Sequence, residues 1–211
     1  MTSSTIRFIH KNKVLSIHNP DPNETILNFV RTKLGKTGTK EGCAEGGCGA
    51  CTIVLGELKK SKIIYKAINA CIAFVPTLAG KQLILVEDLV SGDGSLHPIQ
   101  KAMIDYHGSQ CGFCTPGFVM SLFAMYKNYS FYKDDIIRDS ISGNLCRCTG
   151  YRPIIDAAKS LNKISKFDFF KRNQQLSISL LKKIKQKSIV ISNKNRKYFA
   201  PKNVNELKKI L

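Results

Sequence analysis

The chain has 211 residues, 43% of them hydrophobic, and a formal net charge of +18 from 33 basic and 15 acidic side chains. That length has room for one or two domains, and no stretch reaches the roughly 20 continuous apolar residues that a membrane span needs. The charge is lopsided: residues 1–160 hold 19 basic and 13 acidic residues, whereas residues 161–211 hold 14 and 2. The excess therefore belongs to the tail. It reads as a solvated basic segment or a docking surface for an acidic partner. Without a recognised module or an aromatic-interleaved basic stripe, it does not indicate nucleic acid. The N-terminus, MTSSTIRFIHKNKVLSI, lacks the apolar core and cleavage site of a signal peptide. A cytoplasmic location is expected, where thiols stay reduced.

In chain order, Ile6–Ile9 and Val14–Ile17 flank a polar turn at His10–Lys13 and predict a hairpin. Pro20–Asn23 breaks the strand. Ile26, Leu27, Phe29, Val30 and Leu34 then recur at helical spacing over Glu24–Leu34, closed by Gly35. A loop with glycine at 35, 38, 42, 46, 47 and 49 follows, then strand candidates at Thr52–Leu55, Lys62–Ile68 and Gln82–Val86. Strands around one early helix predict a small α+β, ferredoxin-like domain over residues 1–90.

After the polar joint Ser91–Gly94 the periodicity changes to helical. Ser95 is expected to cap a helix to about His107, with Leu96, Ile99, Met103 and Ile104 on its apolar face. Thr115-Pro116 reads as a cap and first-turn proline of a helix to about Lys127. Asp134–Ser142, closed by Gly143, and Arg152–Leu161 complete an all-α four-helix domain over residues 91–161. Residues 162–196 are expected to be a basic linker, although Leu176–Ile191 carries apolar residues at helical intervals. Lys197–Pro201 reads as extended, and Asn203–Leu211 opens like a capped helix.

All eight cysteines fall into two quartets, one per predicted domain. The first is Cys43-x4-Cys48-x2-Cys51 with Cys71; the second is Cys111-x2-Cys114 with Cys146-x-Cys148. The first spacing is that of plant-type [2Fe–2S] ferredoxins. Gly42, Gly46, Gly47 and Gly49 suit a backbone that must wrap tightly and aim its N–H groups at sulfur. Tetrahedral zinc is the alternative for Cys-x2-Cys pairs, but the one-residue spacer of Cys146-x-Cys148 departs from its usual two to four. A disulfide framework is disfavoured by compartment. His10, His18, His97 and His107 lie in no Cys-x-His pairing and read as surface or packing residues. Asp134-Asp135 suits the dipole of a helix N-terminus. The chain has no nucleophile–base constellation, G-x-G-x-x-G or P-loop, so no catalytic residue is assigned to it.

The segments EGCAEGGCGACT (41–52), QCGFCTPG (110–117) and GNLCRCTGY (143–151) closely resemble the iron–sulfur part of the molybdenum hydroxylases, over about residues 5–160. Within that family the chain is most similar to the small subunits of bacterial xanthine dehydrogenases. The resemblance implies a β-grasp [2Fe–2S] domain followed by the helical [2Fe–2S] domain. Cys43, Cys48, Cys51 and Cys71 would hold one cluster, and Cys111, Cys114, Cys146 and Cys148 the other. It further implies an electron relay for purine oxidation, from a molybdopterin-binding large subunit through the helical-domain cluster, then the ferredoxin-like cluster, to FAD and NAD+. Gln110 would contact the pterin of that partner, or alternatively cap its own helix end. Residues 198–207, YFAPKNVNEL, resemble the opening of the FAD-binding (PCMH-type) domain, here 197–211. The expectation is a fragment, frameshift or split-gene product that binds no FAD alone, the flavin module lying in the full-length chain or a separate one.

Overall fold

The computed structural model describes residues 4–164, 167–184, 188–193 and 196–211. Strand β1 (Thr5–His10) pairs antiparallel with β2 (Lys13–His18), from Thr5↔His18 to His10↔Lys13. Lys11 and Asn12 form the turn at φ 49° and 59°, the left-handed pair whose twist matches that of the flanking strands. Helix α1 (Ile26–Asn28) opens under the Thr25 hydroxyl, which accepts the Asn28 N–H at 3.2 Å. It continues at once as a π-helical turn over Phe29–Lys33. The single helix expected over Glu24–Leu34 is therefore α-helical for one turn, although its apolar residues Ile26, Leu27, Phe29 and Val30 are all buried.

Strands β3 (Thr52–Lys59) and β4 (Lys62–Asn69) form a second hairpin. The short β5 (Gln82–Ile84) lies between β1 and β3, parallel to the first and antiparallel to the second, for the order β2-β1-β5-β3-β4. The strand expected to reach Val86 stops at Ile84. Asp88 accepts the Leu85 N–H at 2.9 Å and winds Val86–Leu89 into a 3-10 turn.

Both faces of this sheet are covered. Ile6, Phe8, Ile53, Leu55 and Leu83 pack with α1 on one side. Ile9, Val54, Ile63, Tyr65 and Ile84 join the helical core on the other. Coverage of both faces explains why Ile53-Val54-Leu55 is a continuous apolar run rather than an alternation. The helices are α2 (Pro98–Asp105), α3 (Thr115–Asn128), α4 (Asp134–Ile141) and α5 (Arg152–Ser160). Residues 117–126 of α3 are all buried, as a helix apolar on every side must be. It lies against β3 and β4 with α2 and α4 beside it. At its end the Asn128 amide donates to the Tyr65 carbonyl (2.6 Å) and accepts the Tyr65 N–H (3.1 Å), closing part of the β4 edge.

Two expected caps are replaced. His97, not Ser95, caps α2: its Nδ1 accepts the Ile99 N–H at 3.3 Å, while Gln100 accepts the His97 N–H at 3.0 Å. Ser95 instead closes a turn with Ser91 and Asp93. Thr115 lies inside α3, behind Cys114, and its hydroxyl pairs with Ser109 at 2.8 Å.

The stretch expected as a basic linker contains α6 (Phe169–Arg172), α7 (Gln174–Lys183) and β6 (Ile189–Asn193); its residues 165–166, 185–187 and 194–195 lie outside the described residues. Its apolar minority is what folds it. Phe170, Ile178 and Leu181 join the helical core, and Ile189 and Ile191 the α1-side core. Strand β7 (Arg196–Ala200) pairs with β6, and α8 (Val204–Lys208) is capped by Asn203, which accepts the Glu206 N–H at 2.9 Å. Among the described residues no helix is long and apolar enough to cross a membrane.

A buried polar cluster fastens this tail. Lys127 reaches Asp168 at 2.9 and 3.0 Å, and His97 Nε2 stands 3.1 Å from the same carboxylate. Because Nδ1 of His97 accepts a hydrogen bond, Nε2 carries the proton and donates. Burial would raise the Asp168 carboxyl, but the His97 bond and the Lys127 charge outweigh it and hold the group below its ordinary value. Asp168→Ala leaves the Lys127 charge buried without its counterion, a loss of about 3–5 kcal/mol at neutral pH in urea unfolding. A depressed carboxylate stabilises above its unfolded pKa of about 3.9, and the contribution fades as pH falls through the folded value. The variant's deficit should shrink in that acid range; a deficit unchanged there would exclude the ion pair as its source.

Candidate metal centres

The first cysteine loop folds back on its own sulfur. Cys43 Sγ accepts the N–H groups of Gly47 and Cys48, both at 3.3 Å. Backbone donors, those of Glu45 and Cys48 foremost, hold the half-buried Cys43 thiol down at about 7. Gly46 turns the chain at φ 81°, where a Cβ would collide with Ile72. The Asn69 amide donates to the Gly46 carbonyl at 2.5 Å and ties the loop to the end of β4. The β3–β4 register then delivers Cys71: Thr52 faces Asn69, the Ala70 N–H donates to the Cys51 carbonyl at 3.2 Å, and the sulfurs of Cys51 and Cys71 stand 3.2 Å apart. Burial pushes the Cys51 thiol up to about 12.

The second quartet sits on two interhelical turns. Cys111 and Cys114 lie between α2 and α3, and Cys146 and Cys148 between α4 and α5. Cys148 Sγ is 3.5 Å from Cys111 Sγ, and Cys114 faces Cys146. Burial pushes Cys114 up to about 12. Cys146 is held below the ordinary thiol range because donors from Thr149 outweigh its burial, the hydroxyl at 3.1 Å and the N–H at 3.4 Å. The Tyr151 N–H donates to that same hydroxyl at 3.2 Å, which leaves the hydroxyl proton for sulfur. Tyr151, at φ 68°, turns its own phenol oxygen back to accept the Cys146 N–H at 2.9 Å. Thr149 and Tyr151 lie within a quoted motif, but spacing assigns them no role; their contacts exist only once the turn is closed.

The structure thus brings the thiols together in twos: Cys43 with Cys48, Cys51 with Cys71, Cys111 with Cys148, Cys114 with Cys146. Two thiolates on one tetrahedral ion, with bonds of about 2.3 Å, stand about 3.8 Å apart. The measured pairs are of that order. Among the described residues, no three cysteine, histidine or carboxylate side chains gather as a single ion requires. Two ions per quartet, each held by one pair, are compatible with these distances. The two loops also touch: the Leu145 N–H, next to Cys146, donates to the Cys48 carbonyl at 2.9 Å.

Other sequence candidates fall elsewhere. Gln110 is exposed ahead of Cys111, where the side-chain bond of the turn runs between Ser109 and Thr115, and it does not cap α3. His10 faces Asp88 at 3.4 Å, His18 bonds Thr5 at 2.8 Å, and His97 caps α2. His107 lines an open groove beside α2. Asp134 pairs with Lys159 at 2.8 Å.

Residues 9–76 match the family model of the 2Fe-2S iron-sulfur cluster binding domain, and residues 85–159 that of the [2Fe-2S] binding domain. The chain is 51% identical over 150 residues to the xanthine dehydrogenase of Blastobotrys adeninivorans, covering 70% of this chain and 11% of that one. It is 46% identical over 147 residues to aldehyde oxidase 1 of Oryctolagus cuniculus, covering 69% and 11%. It therefore spans about a ninth of the length of these curated relatives. Against the crystal structure of quinoline 2-oxidoreductase from Pseudomonas putida 86, it has 30% identity and a TM-score of 0.62, covering 75% of this chain and 96% of that one.

Hydrogen bonds to ligand sulfur raise a cluster's potential. Thr149→Val removes the hydroxyl donor to Cys146 and keeps the N–H. In an EPR-monitored redox titration, one of two iron–sulfur signals should shift to lower potential while the other holds. If neither moves, the Thr149 hydroxyl does not reach the sulfur.

Proposed function

The chain belongs to the iron–sulfur family of the molybdenum hydroxylases, and from that membership we propose that it carries electrons between a molybdopterin subunit and a flavin module. Cys43, Cys48, Cys51 and Cys71 would hold one [2Fe–2S] cluster and Cys111, Cys114, Cys146 and Cys148 the second. Residues 1–90 would form a β-grasp domain, which the mixed five-stranded sheet around α1 supports. Residues 91–161 would form the four-helix domain, with 162–196 joining them to an FAD-domain opening at 197–211. The observation that carries this reading is the two-by-two pairing of the thiols in each quartet.

When bound, each cluster takes up and passes on one electron at a time. The chain's own residues do the rest. The cysteines would hold each iron pair, Gly47, Cys48 and Thr149 donate hydrogen bonds to sulfur, and the Leu145–Cys48 bond joins the loops on which the two quartets lie. Exposed Cys111 and Cys148 face outward from the helices, which suits entry of electrons from the large subunit, with Gln110 beside them against its pterin. The electrons would then pass to FAD and NAD+. Hypoxanthine or xanthine is the proposed substrate of the complex. The likeness to aldehyde oxidase and quinoline 2-oxidoreductase supports an aldehyde or N-heterocycle as the second reading.

Iron and acid-labile sulfide should be counted on the purified protein, and EPR recorded after anaerobic dithionite reduction. About four irons per chain and two S = 1/2 signals are expected; zinc without a signal would leave a structural cysteine protein instead. Cys146→Ser should abolish one signal and stop turnover of the complex while the other cluster still assembles. Survival of both signals would overturn the ligand assignment.

A further inference from the structure

Asn144 is 3% exposed and lies where the two cysteine loops meet. Its Nδ2 donates to the Gly49 carbonyl at 3.0 Å and to Thr52 Oγ1 at 3.2 Å, and its Oδ1 accepts the Ser121 hydroxyl at 2.6 Å. Gly49 follows Cys48, Thr52 follows Cys51, Ser121 lies on α3, and Asn144 itself stands two residues before Cys146. One amide thus joins the first loop, the central helix and the second loop. The approach is crowded. A Cβ on Gly49 would overlap the Gly143 carbonyl, and a Cβ on Gly117 would overlap the Gly49 carbonyl. The Thr52 hydroxyl also donates to the Gly49 carbonyl, at 2.6 Å, so this oxygen is held from two sides.

The next residue along makes the crossing itself, from the Leu145 N–H to the Cys48 carbonyl. Cys48 and Cys146 belong to different quartets, so one hydrogen bond and the adjoining backbone connect them. Electron tunnelling falls steeply with any through-space gap, and a hydrogen-bonded bridge carries it better than a loose contact. Whatever fixes Asn144 on Gly49 therefore fixes Leu145 on Cys48.

We propose that Asn144 is a positioning residue for inter-cluster electron transfer: its amide clamps the two cysteine loops in the register that lets the Leu145–Cys48 bridge form. The proposal rests on the relay function above. It contributes no metal ligand and no donor to a ligand sulfur, so the clamp acts on the rate of transfer and not on the potential of either cluster.

The test uses the chain loaded with both clusters. Electrons are injected by pulse radiolysis, and their redistribution is followed by rapid-freeze EPR, with iron content and both potentials measured on the same samples. In Asn144→Ala, both clusters should be present at unchanged potentials while inter-cluster equilibration slows several-fold. An unchanged rate with both clusters loaded would overturn the proposal. Should Asn144→Ala fail to load both, Thr52→Val decides: it keeps the shape of the side chain and removes one of the two acceptors that Asn144 holds on the first loop. Slower equilibration at unchanged potentials supports the clamp, and an unchanged rate removes it. Failure of the wild type to show two signals would instead strike the relay reading, which separates the two failures.

Discussion

Helix α3 lies close against the first cysteine loop because Gly117 has no side chain: a Cβ there would strike the Gly49 carbonyl. Much of the molecule depends on that approach. The N-terminal end of α3 follows Cys114, its body fills the face of β3 and β4, Ser121 meets Asn144, and Asn128 docks on the β4 edge. One helix therefore serves as floor to both cysteine sites. Holding it at the sheet brings loops 95 residues apart in sequence into hydrogen-bond contact, as from Gly49 to Asn144.

The two quartets follow the same physical pattern by different means. In each, one thiol is held down by hydrogen-bond donors and another is pushed up by burial. Cys43 and Cys51 play those parts in the first, Cys146 and Cys114 in the second. The first loop uses its own backbone N–H groups, which a glycine-rich run can aim inward. The second loop is shorter and adds a side chain, Thr149, steadied by the Tyr151 N–H. Buried polar groups are costly unless satisfied, and the contact between the loops meets that demand through the Asn144 amide.

The tail is held by a similar device with charge in place of a neutral amide. Asp168 accepts from Lys127 and His97 and also caps α6 through the Lys171 N–H at 2.7 Å. Lys127 stands over the rings of Tyr65 and Phe170. The sheet, α2, α3 and the tail therefore meet at one buried site. Of the tail's two acidic residues, Asp168 is spent there and Glu206 on Ser188 and the Lys202 N–H.

The cysteine quartets, the hairpin turn at Lys11-Asn12 and the four helices after residue 95 were legible in the sequence, because each rests on local spacing. A ligand set is written in the intervals between cysteines, and an amphipathic helix in its own period. What was not legible depended on partners far along the chain. Ser95 looks the better cap, yet His97 takes the place, its ring bonded to an aspartate 71 residues on. Among the described residues, six buried apolar side chains between lysines fold a stretch whose composition reads as a linker. Asn144 and Thr149 have no period and no ligand chemistry to announce them. The sequence alone determined how the eight cysteines are spaced and where the four helices after residue 95 run. Tertiary structure decided how the thiols pair and how the two loops meet, because both depend on α3 packing against the sheet at a distance that no local pattern encodes.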